Sequence, residues 1–423
     1  WSFDVREFVQ VSGGRPLEVI GMHTVSQFDL FRTLGIKPSA FQRYLSIVER
    51  TYCYEPASPN PYHSAMHGAD VAQAVAALMT RLAPSPDAHF TPLDQFALLF
   101  SAIIHDYRHT GTNNNFLVGR GDEIALRYND QSVLENFSVA EAFRLMYDTK
   151  LFPDLMGMAH HSNLDFTHFR KTVVSCVLAT DLSIRVDFSP LMSAPDVAAA
   201  AATGGSGANT SSGDAASVAS SGVIRRSPRH SLSRRSSVSR RGSAVRLAAS
   251  PTAPLSTSDV PASRVSSKVA QASSRGSDAP ASPPEVHGRL EVGSDGEDAE
   301  SGDDGDVGAL AAMPAEPILS AAQRLCLAKL LLKVGDVSHP TRPLATHLRW
   351  FDALQLEFAA QGEKELALGM PVSPLCDPTV TNVAPSQLGF INFVVQPICQ
   401  VLQRYQPGYQ WLLDNLQANY RYW

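Results

Sequence analysis

From Ser193 to Ala315 the chain passes through a segment that cannot build a core. It is rich in Ala, Ser, Gly and Pro and nearly free of aromatic residues, so burial cannot offset the entropy of ordering it. Any folded body must therefore come from the flanks, 1–192 and 316–423. The first flank stops in mid-pattern with no evident finish, and helical patterning resumes at ILSAAQRLCLAKLLLKVGDVSHP. The two flanks are read as one domain, with 193–315 as a disordered insertion between two helices. A surface loop tolerates such an insertion because closure entropy grows slowly with length.

The insertion is polarised. Residues 225–246, RRSPRHSLSRRSSVSRRGSAVR, are basic, and residues 291–306, EVGSDGEDAESGDDGD, are acidic. Such runs are most often simply solvated. The sharper reading is a regulatory tether: Ser237 follows RRS and Ser243 follows RRG, the pattern a basic-directed kinase would read. Phosphate at either serine would cut the positive charge.

The flanks read as helices throughout. SAFQRYLSIVERTYCY carries Phe41, Leu45, Ile47 and Val48 at helical spacing, with Ser39 as the expected cap. ADVAQAVAALMTRL carries Val71, Val75, Leu78, Met79 and Leu82. Thr91-Pro92 opens another helix, with Asp94 completing a capping-box pattern. Further helices are expected in DFTHFRKTVVSCVLATDLSIRVDF, HLRWFDALQLEFAAQGEKELALG and the tail WLLDNLQANYRYW. No period-2 strand pattern and no repeat interrupts them, so the expected fold class is all-α.

Composition excludes several functions. The chain has 423 residues and a formal net charge of -6, so no global positive field points to nucleic acid. Five cysteines at 53, 176, 326, 376 and 399 form no CxxC pair, which suits a reducing compartment and argues against a thiolate zinc site. No stretch reaches the roughly 18–20 apolar residues of a membrane span. The sequence opens on WSFDV without Met or signal peptide, and is read as a domain of a larger protein, in the cytoplasm or on a cytosolic face, without membrane contact of its own.

Ionisable residues stand where apolar helices end. NPYHSAMHGAD holds His63 and His67, which would share a face if the segment is helical. IIHDYRH holds His105 and Asp106, with His109 four residues after the first. LLLKVGDVSHP holds Asp336 just before Pro340. Burying such groups without partners costs several kcal/mol, on the order of 2–7 each. A lone histidine of this kind is most often a hydrogen-bonded core group. Four together, His67, His105, Asp106 and Asp336, form an imidazole–carboxylate set suited to Zn, Fe, Mn or Mg. Asp106 has two oxygens and can bridge two cations with a shared water or hydroxide, an arrangement that serves phosphate-ester hydrolysis. His63 fits the role of acid for the leaving oxygen. Glu135 is the second carboxylate drawn in, either to orient His63 or to hold a metal-bound water.

With these residues in view, YHSAMHGADV, IIHDYRHTGTNNNF, YNDQSVLEN, LATD, GDVSHP and SQLGFINFVVQP together resemble the class I 3′,5′-cyclic-nucleotide phosphodiesterase catalytic domain of the HD superfamily. The resemblance is strongest to the calcium/calmodulin-stimulated branch, and it covers about 1–192 and 316–423. It implies a compact multi-helix catalytic domain that hydrolyses cAMP, cGMP or both to 5′-monophosphates and so terminates cyclic-nucleotide signalling. It implies two divalent cations, zinc at the site of His67, His105, Asp106 and Asp336 and magnesium or manganese at a second site reached by Asp106. His63 becomes the proton donor to O3′, with His109 and Glu135 positioning water and acid. Gln387 would bind the purine edge, Phe390 and Leu354 its two faces, and His339 would lie near the nucleotide. The purely chemical case for that pocket is that an amide both donates and accepts and that Gln387 and Phe390, three apart, share a helical face. A homodimer is compatible with this reading.

Two departures from the family pattern stand out. Where the family carries two histidines after LEN, this chain has Phe137 and Ser138, and Lys333 stands where the nearest branch has His. The first departure leaves open a weakly active or inactive cyclic-nucleotide-binding module. Another phosphate ester as substrate of an HD-type phosphohydrolase is the remaining alternative, against which Gln387 and Phe390 argue.

Overall fold

A computed structural model describes residues 1–149, 165–197, 200 and 317–423. The described residues fall in one compact unit, Trp1–Asn209 with Leu310–Trp423; the second unit, Thr210–Ala309, lies outside them. Ser237, Ser243 and both charged blocks are therefore outside the described residues.

The domain is all-α. Short helices α1 (Val5–Val11), α2 (Pro16–Gln27) and α3 (Leu30–Thr33) lead into α4 (Pro38–Arg50). Ser39 is not the cap of α4: Pro38 is already inside its first turn and Lys37 precedes it without a side-chain cap. Proline at that position loses no helical bond and presets the backbone angle. The centre is formed by α5 (Ala65–Thr80) and α6 (Pro92–Ile104), which pack on each other and on α2. Thr91 and Asp94 form the full reciprocal capping box of α6. Val71, Val75, Leu78 and Met79 of α5 are fully buried, as are Phe96 through Phe100 of α6.

Next come α7 (Asn114–Gly119), α8 (Glu123–Arg127), α9 (Val133–Asp148), α10 (Phe166–Leu178) and α11 (Ser189–Met192). The chain returns in α12 (Ala321–Asp336), which packs against α5, α6 and α10. Leu327, Leu330, Leu331 and Leu332 of α12 join the same core cluster as Leu17, Val75 and Phe100. The flanks of the insertion thus share one hydrophobic core. Gly335 on α12 lies so close to α5 that an added Cβ would come within 2.9 Å of Val75, bringing the end of α12 against the helix that carries His67.

The remaining helices are α13 (Leu344–Ala367), α14 (Val383–Phe390), α15 (Gln396–Tyr405) and α16 (Gln410–Tyr422). Between α14 and α15 the backbone widens into a π-turn over Ile391–Val395. Pro397 has no N–H to give and would crowd a regular turn, and a π-turn relieves both. Among the described residues there is no strand; a single parallel bridge pairs Cys53 with His109. The five cysteines are free and buried, and no described helix is long and apolar enough to cross a membrane.

Candidate functional site

Three helix ends meet at one edge of the core. His67 sits in the first turn of α5, His105 follows the last residue of α6, and Asp336 ends α12. Their apolar stretches bury the helices and leave the terminal polar groups at one rim. His67 and His105 are buried, while Asp106 and Asp336 are partly exposed.

The ligand atoms converge. The Nε2 atoms of His67 and His105 lie 3.3 Å apart. Asp106 Oδ2 is 3.5 Å from His67 Nε2 and 3.1 Å from His105 Nε2. Asp336 Oδ1 is 3.2 and 3.4 Å from the same two atoms. Atoms that bind one ion at about 2.0–2.2 Å stand about 3 Å from one another, so this set fits a single divalent cation. His105 Nδ1 donates to the carbonyl of Ala102 at 3.0 Å, so in the neutral ring Nε2 carries the lone pair that a metal would take in place of a proton. Burial opposes charge on Asp106 and Asp336, but the neighbouring imidazoles hold both carboxyls well below their ordinary range. Both are therefore anionic, as a divalent cation would require of them.

His63 and His109 reach the site differently from a shared helical face. His63 precedes α5 in the entry loop, and α6 ends at Ile104, so neither pair lies on one helix. Arg108 adopts a left-handed backbone, φ 68°, which turns the chain so that His109 pairs with Cys53 and its carbonyl accepts from Tyr54 N at 3.0 Å. Asn60 Nδ2 donates to the carbonyls of His63 and His109, at 2.8 and 2.9 Å. The two imidazoles stack with centroids 4.0 Å apart.

The carboxylate on His63 is Glu357 of α13, which sequence reasoning missed. Its Oε2 accepts the backbone N–H of Tyr62 and of His63, each at 3.0 Å, and its Oε1 is hydrogen-bonded to His63 Nδ1. Burial alone would lower the His63 pKa; the Glu357 and Asp106 carboxylates overcome it and push the ring up to about 9. Glu357 is held at about 2, burial being outweighed by the charge on His63. His109 goes the other way, to about 4, because burial and the neighbouring His63 charge both disfavour its protonation. Its Nδ1 accepts from Gly111 N at 3.1 Å.

Glu135 does not touch His63. It accepts from Asn114 Nδ2 at 3.0 Å, and burial raises it to about 7. It lines a cavity of about 240 Å³ together with His63, Asp106, His109, Asp336 and Glu357. A larger cavity of about 560 Å³ lies behind α5, lined by Phe8, Ile20 and Ala76, and contains none of these residues.

Gln387 is buried, with its Oε1 lacking a hydrogen-bond partner among the described residues. Phe390, three residues on along α14, faces the His339 ring at 6.0 Å and 17°. Leu354 and Phe390 pack half-buried against the same core. Phe137 belongs to a separate apolar cluster with Phe116, Leu117 and Val133, and Ser138 Oγ is buried without a partner among the described residues. Lys333 Nζ donates to the carbonyls of Ala179 and Asp181, at 2.8 and 3.1 Å, tying α12 to the end of α10.

A family model described as 3'5'-cyclic nucleotide phosphodiesterase matches residues 62–193 and 309–416. The human dual specificity calcium/calmodulin-dependent 3',5'-cyclic nucleotide phosphodiesterase 1C is 28% identical over 402 residues, covering 95% of this chain and 39% of that protein. Human phosphodiesterase 1B of the same description is 26% identical over 440 residues, covering 99% and 57%. The chain thus spans 39–57% of the length of these relatives. The crystal structure of the phosphodiesterase domain of the RhoPDE fusion protein from the choanoflagellate Salpingoeca rosetta aligns with a TM-score of 0.63 at 20% identity, covering 100% of this chain and 93% of that one. That likeness establishes the fold.

Proposed function

This chain belongs to the 3'5'-cyclic nucleotide phosphodiesterase family, and from that premise we propose that it hydrolyses 3′,5′-cyclic AMP, cyclic GMP or both to the 5′-monophosphates. The observation that carries the proposal is the convergence of two imidazole nitrogens and two carboxylate oxygens, 3.1–3.5 Å apart, beside a charged His63. His67, His105, Asp106 and Asp336 would hold a zinc ion, and the other Asp106 oxygen would reach magnesium or manganese. When bound, the cations supply charge stabilisation at the phosphate and an activated water.

The chain's own residues do the rest. His63 carries one proton on Nδ1 toward Glu357 and another on Nε2, which lies 4.0 Å from Asp106 Oδ2 on the metal side. That second proton passes to O3′ as the P–O3′ bond breaks. Glu357 holds the ring in place and keeps it charged; His109, neutral, packs on its face. Gln387 binds the purine edge, with Phe390 and Leu354 enclosing the ring.

Hydrolysis in ¹⁸O-water tests this. One label in the phosphate of a 5′-monophosphate with a free 3′-OH is expected; a 3′-monophosphate, or no product at high enzyme concentration, overturns it. Phe137 and Ser138 favour one second reading, a module that binds cyclic nucleotide with little turnover. It requires that Asp336→Ala leave the residual rate unchanged.

A further inference from the structure

We propose that Gln361 and Glu365 are positioning residues for Glu135: they hold the loop 111–114 against the candidate site, and through Asn114 they fix where the Glu135 carboxylate stands. The inference rests on the hydrolytic function proposed above, because Glu135 lines the cavity in which the activated water would be held. It begins on α13, where Gln361 and Glu365 follow Glu357 at successive turns and are 2% and 1% exposed. Nothing in the metal-ligand set or the acid pair accounts for burying these two polar side chains.

Their neighbours dictate how the Gln361 amide is turned. Its Oε1 accepts the backbone N–H of Asn113 at 2.8 Å, a group that can only donate. Its Nε2 is left to donate to Glu365 Oε1, also at 2.8 Å. Glu365 accepts in turn from the half-buried Ser373, the backbone N–H reaching Oε2 at 2.7 Å and the hydroxyl reaching Oε1. Burial opposes charge on Glu365, but the hydrogen bonds from Ser373 and Gln361 hold its carboxyl below the ordinary value. The carboxylate ties α13 to the loop 370–376, and Gln361 carries that tie across to the wall of the site.

Beyond Asn113 the tie reaches α9. Ser132, at the start of that helix, has a left-handed backbone and gives no side-chain cap. Asn114 supplies the missing acceptor from outside: its Oδ1 takes the N–H of Leu134 at 2.9 Å, and its Nδ2 donates to Glu135 Oε2 at 3.0 Å. The first N–H groups of a helix have no partners within it, so an external acceptor fixes where the first turn sits. One side chain thus sets both the start of α9 and the place of Glu135. Burial raises Glu135 to about 7, and the Asn114 amide opposes that rise. If the loop drifted, Glu135 would lose its donor and give up more of its charge.

Two measurements test it on the whole chain. In the metal-free protein, carboxyl ¹³C resonances of labelled glutamate follow the titration of Glu135, assigned with Glu135→Gln. Gln361→Met keeps the side-chain length and removes both hydrogen bonds, and it should raise the Glu135 midpoint by about half a unit or more. Ser373→Asp leaves Gln361 in place but sets a second carboxylate against Glu365, and it should shift the midpoint the same way. Ser373→Ala keeps the backbone donor and should leave it within about 0.2 unit. A midpoint unmoved in both Gln361→Met and Ser373→Asp overturns the inference whatever the chain's activity; a shift in Gln361→Met alone removes Glu365 from it. Should Gln361→Met fail to fold, Ser373→Asp decides. The second measurement is kinetic. Both shifting variants should raise the Mg²⁺ concentration for half-maximal rate about tenfold, with KM for the cyclic nucleotide within about threefold and metal bound at the His67 set unchanged. Loss of that metal together with a raised KM, at an unmoved Glu135, marks a merely structural role. If the unaltered chain hydrolyses neither nucleotide, the functional reading fails, while the titration still decides whether Gln361 and Glu365 position Glu135.

Discussion

Glu357 and His63 stand 294 positions apart in the chain, yet Glu357 binds both the ring and the backbone of His63. One carboxylate fixes both the loop that carries His63, the proposed acid, and the charge on its ring. Glu357→Gln keeps the shape and removes the charge. In the native site His63, at about 9, is protonated below that pH, and activity should fall as pH rises through it. Without that carboxylate Asp106 and Asp336 still oppose burial, and the ring should fall from about 9 toward its ordinary range near 6.5, so the alkaline limb should move down by about two units. At pH 8 the rate should fall about 10- to 100-fold and partly recover near pH 6. A pH–rate profile of the two proteins checks this.

His63→Gln removes the proposed acid and leaves the candidate ligand set His67, His105, Asp106 and Asp336 intact. Turnover should fall about 10²- to 10⁴-fold, with bound metal per chain unchanged by elemental analysis. Equal loss of metal would move His63 into the ligand set.

Ser138 Oγ is buried and makes no hydrogen bond among the described residues. Deleting it removes a desolvated hydroxyl and leaves its partners nothing to lose. Ser138→Ala should therefore be neutral or stabilising by about 0–1 kcal/mol in thermal unfolding. A loss of about 2 kcal/mol or more would mean the hydroxyl has a polar role.

Lys333 is the opposite case. Its ammonium is hydrogen-bonded to two carbonyls at the end of α10, although burial lowers its pKa. Lys333→Met would leave both carbonyls without that donor and should cost about 2–4 kcal/mol, read as a lower denaturant midpoint at unchanged slope.

The candidate metal-ligand set was legible because each of its residues stands at or beside one end of a long apolar helix, where a buried ionisable group stands out against its neighbours. His67, His105, Asp106 and Asp336 were legible for that reason, as was the all-α fold, from the stripes of α5, α6 and α12. Glu357 was not. It sits in LQLEFAAQ, and locally it resembles any surface glutamate. The one available signal was the buried polar stripe Glu357, Gln361 and Glu365 at four-residue spacing, which helical periodicity alone does not separate from a solvated face. His63 and His109 were placed on helices by their spacing, whereas the left-handed Arg108 and the Asn60 bridge put them on loops. Those are decided by tertiary hydrogen bonds, which local patterning does not encode.

The central claim is that the cation held by His67, His105, Asp106 and Asp336 is required to open a cyclic phosphate. Its most direct test is the release of 5′-AMP and 5′-GMP from the two cyclic nucleotides, measured side by side with Mg²⁺ and then with excess chelator, for the chain and for Asp336→Ala. Product from at least one nucleotide is expected, with its loss on chelation, recovery on adding metal back, and a rate at least about 100-fold lower in the variant. Equal rates for the chain and Asp336→Ala, or hydrolysis indifferent to the chelator, would contradict it.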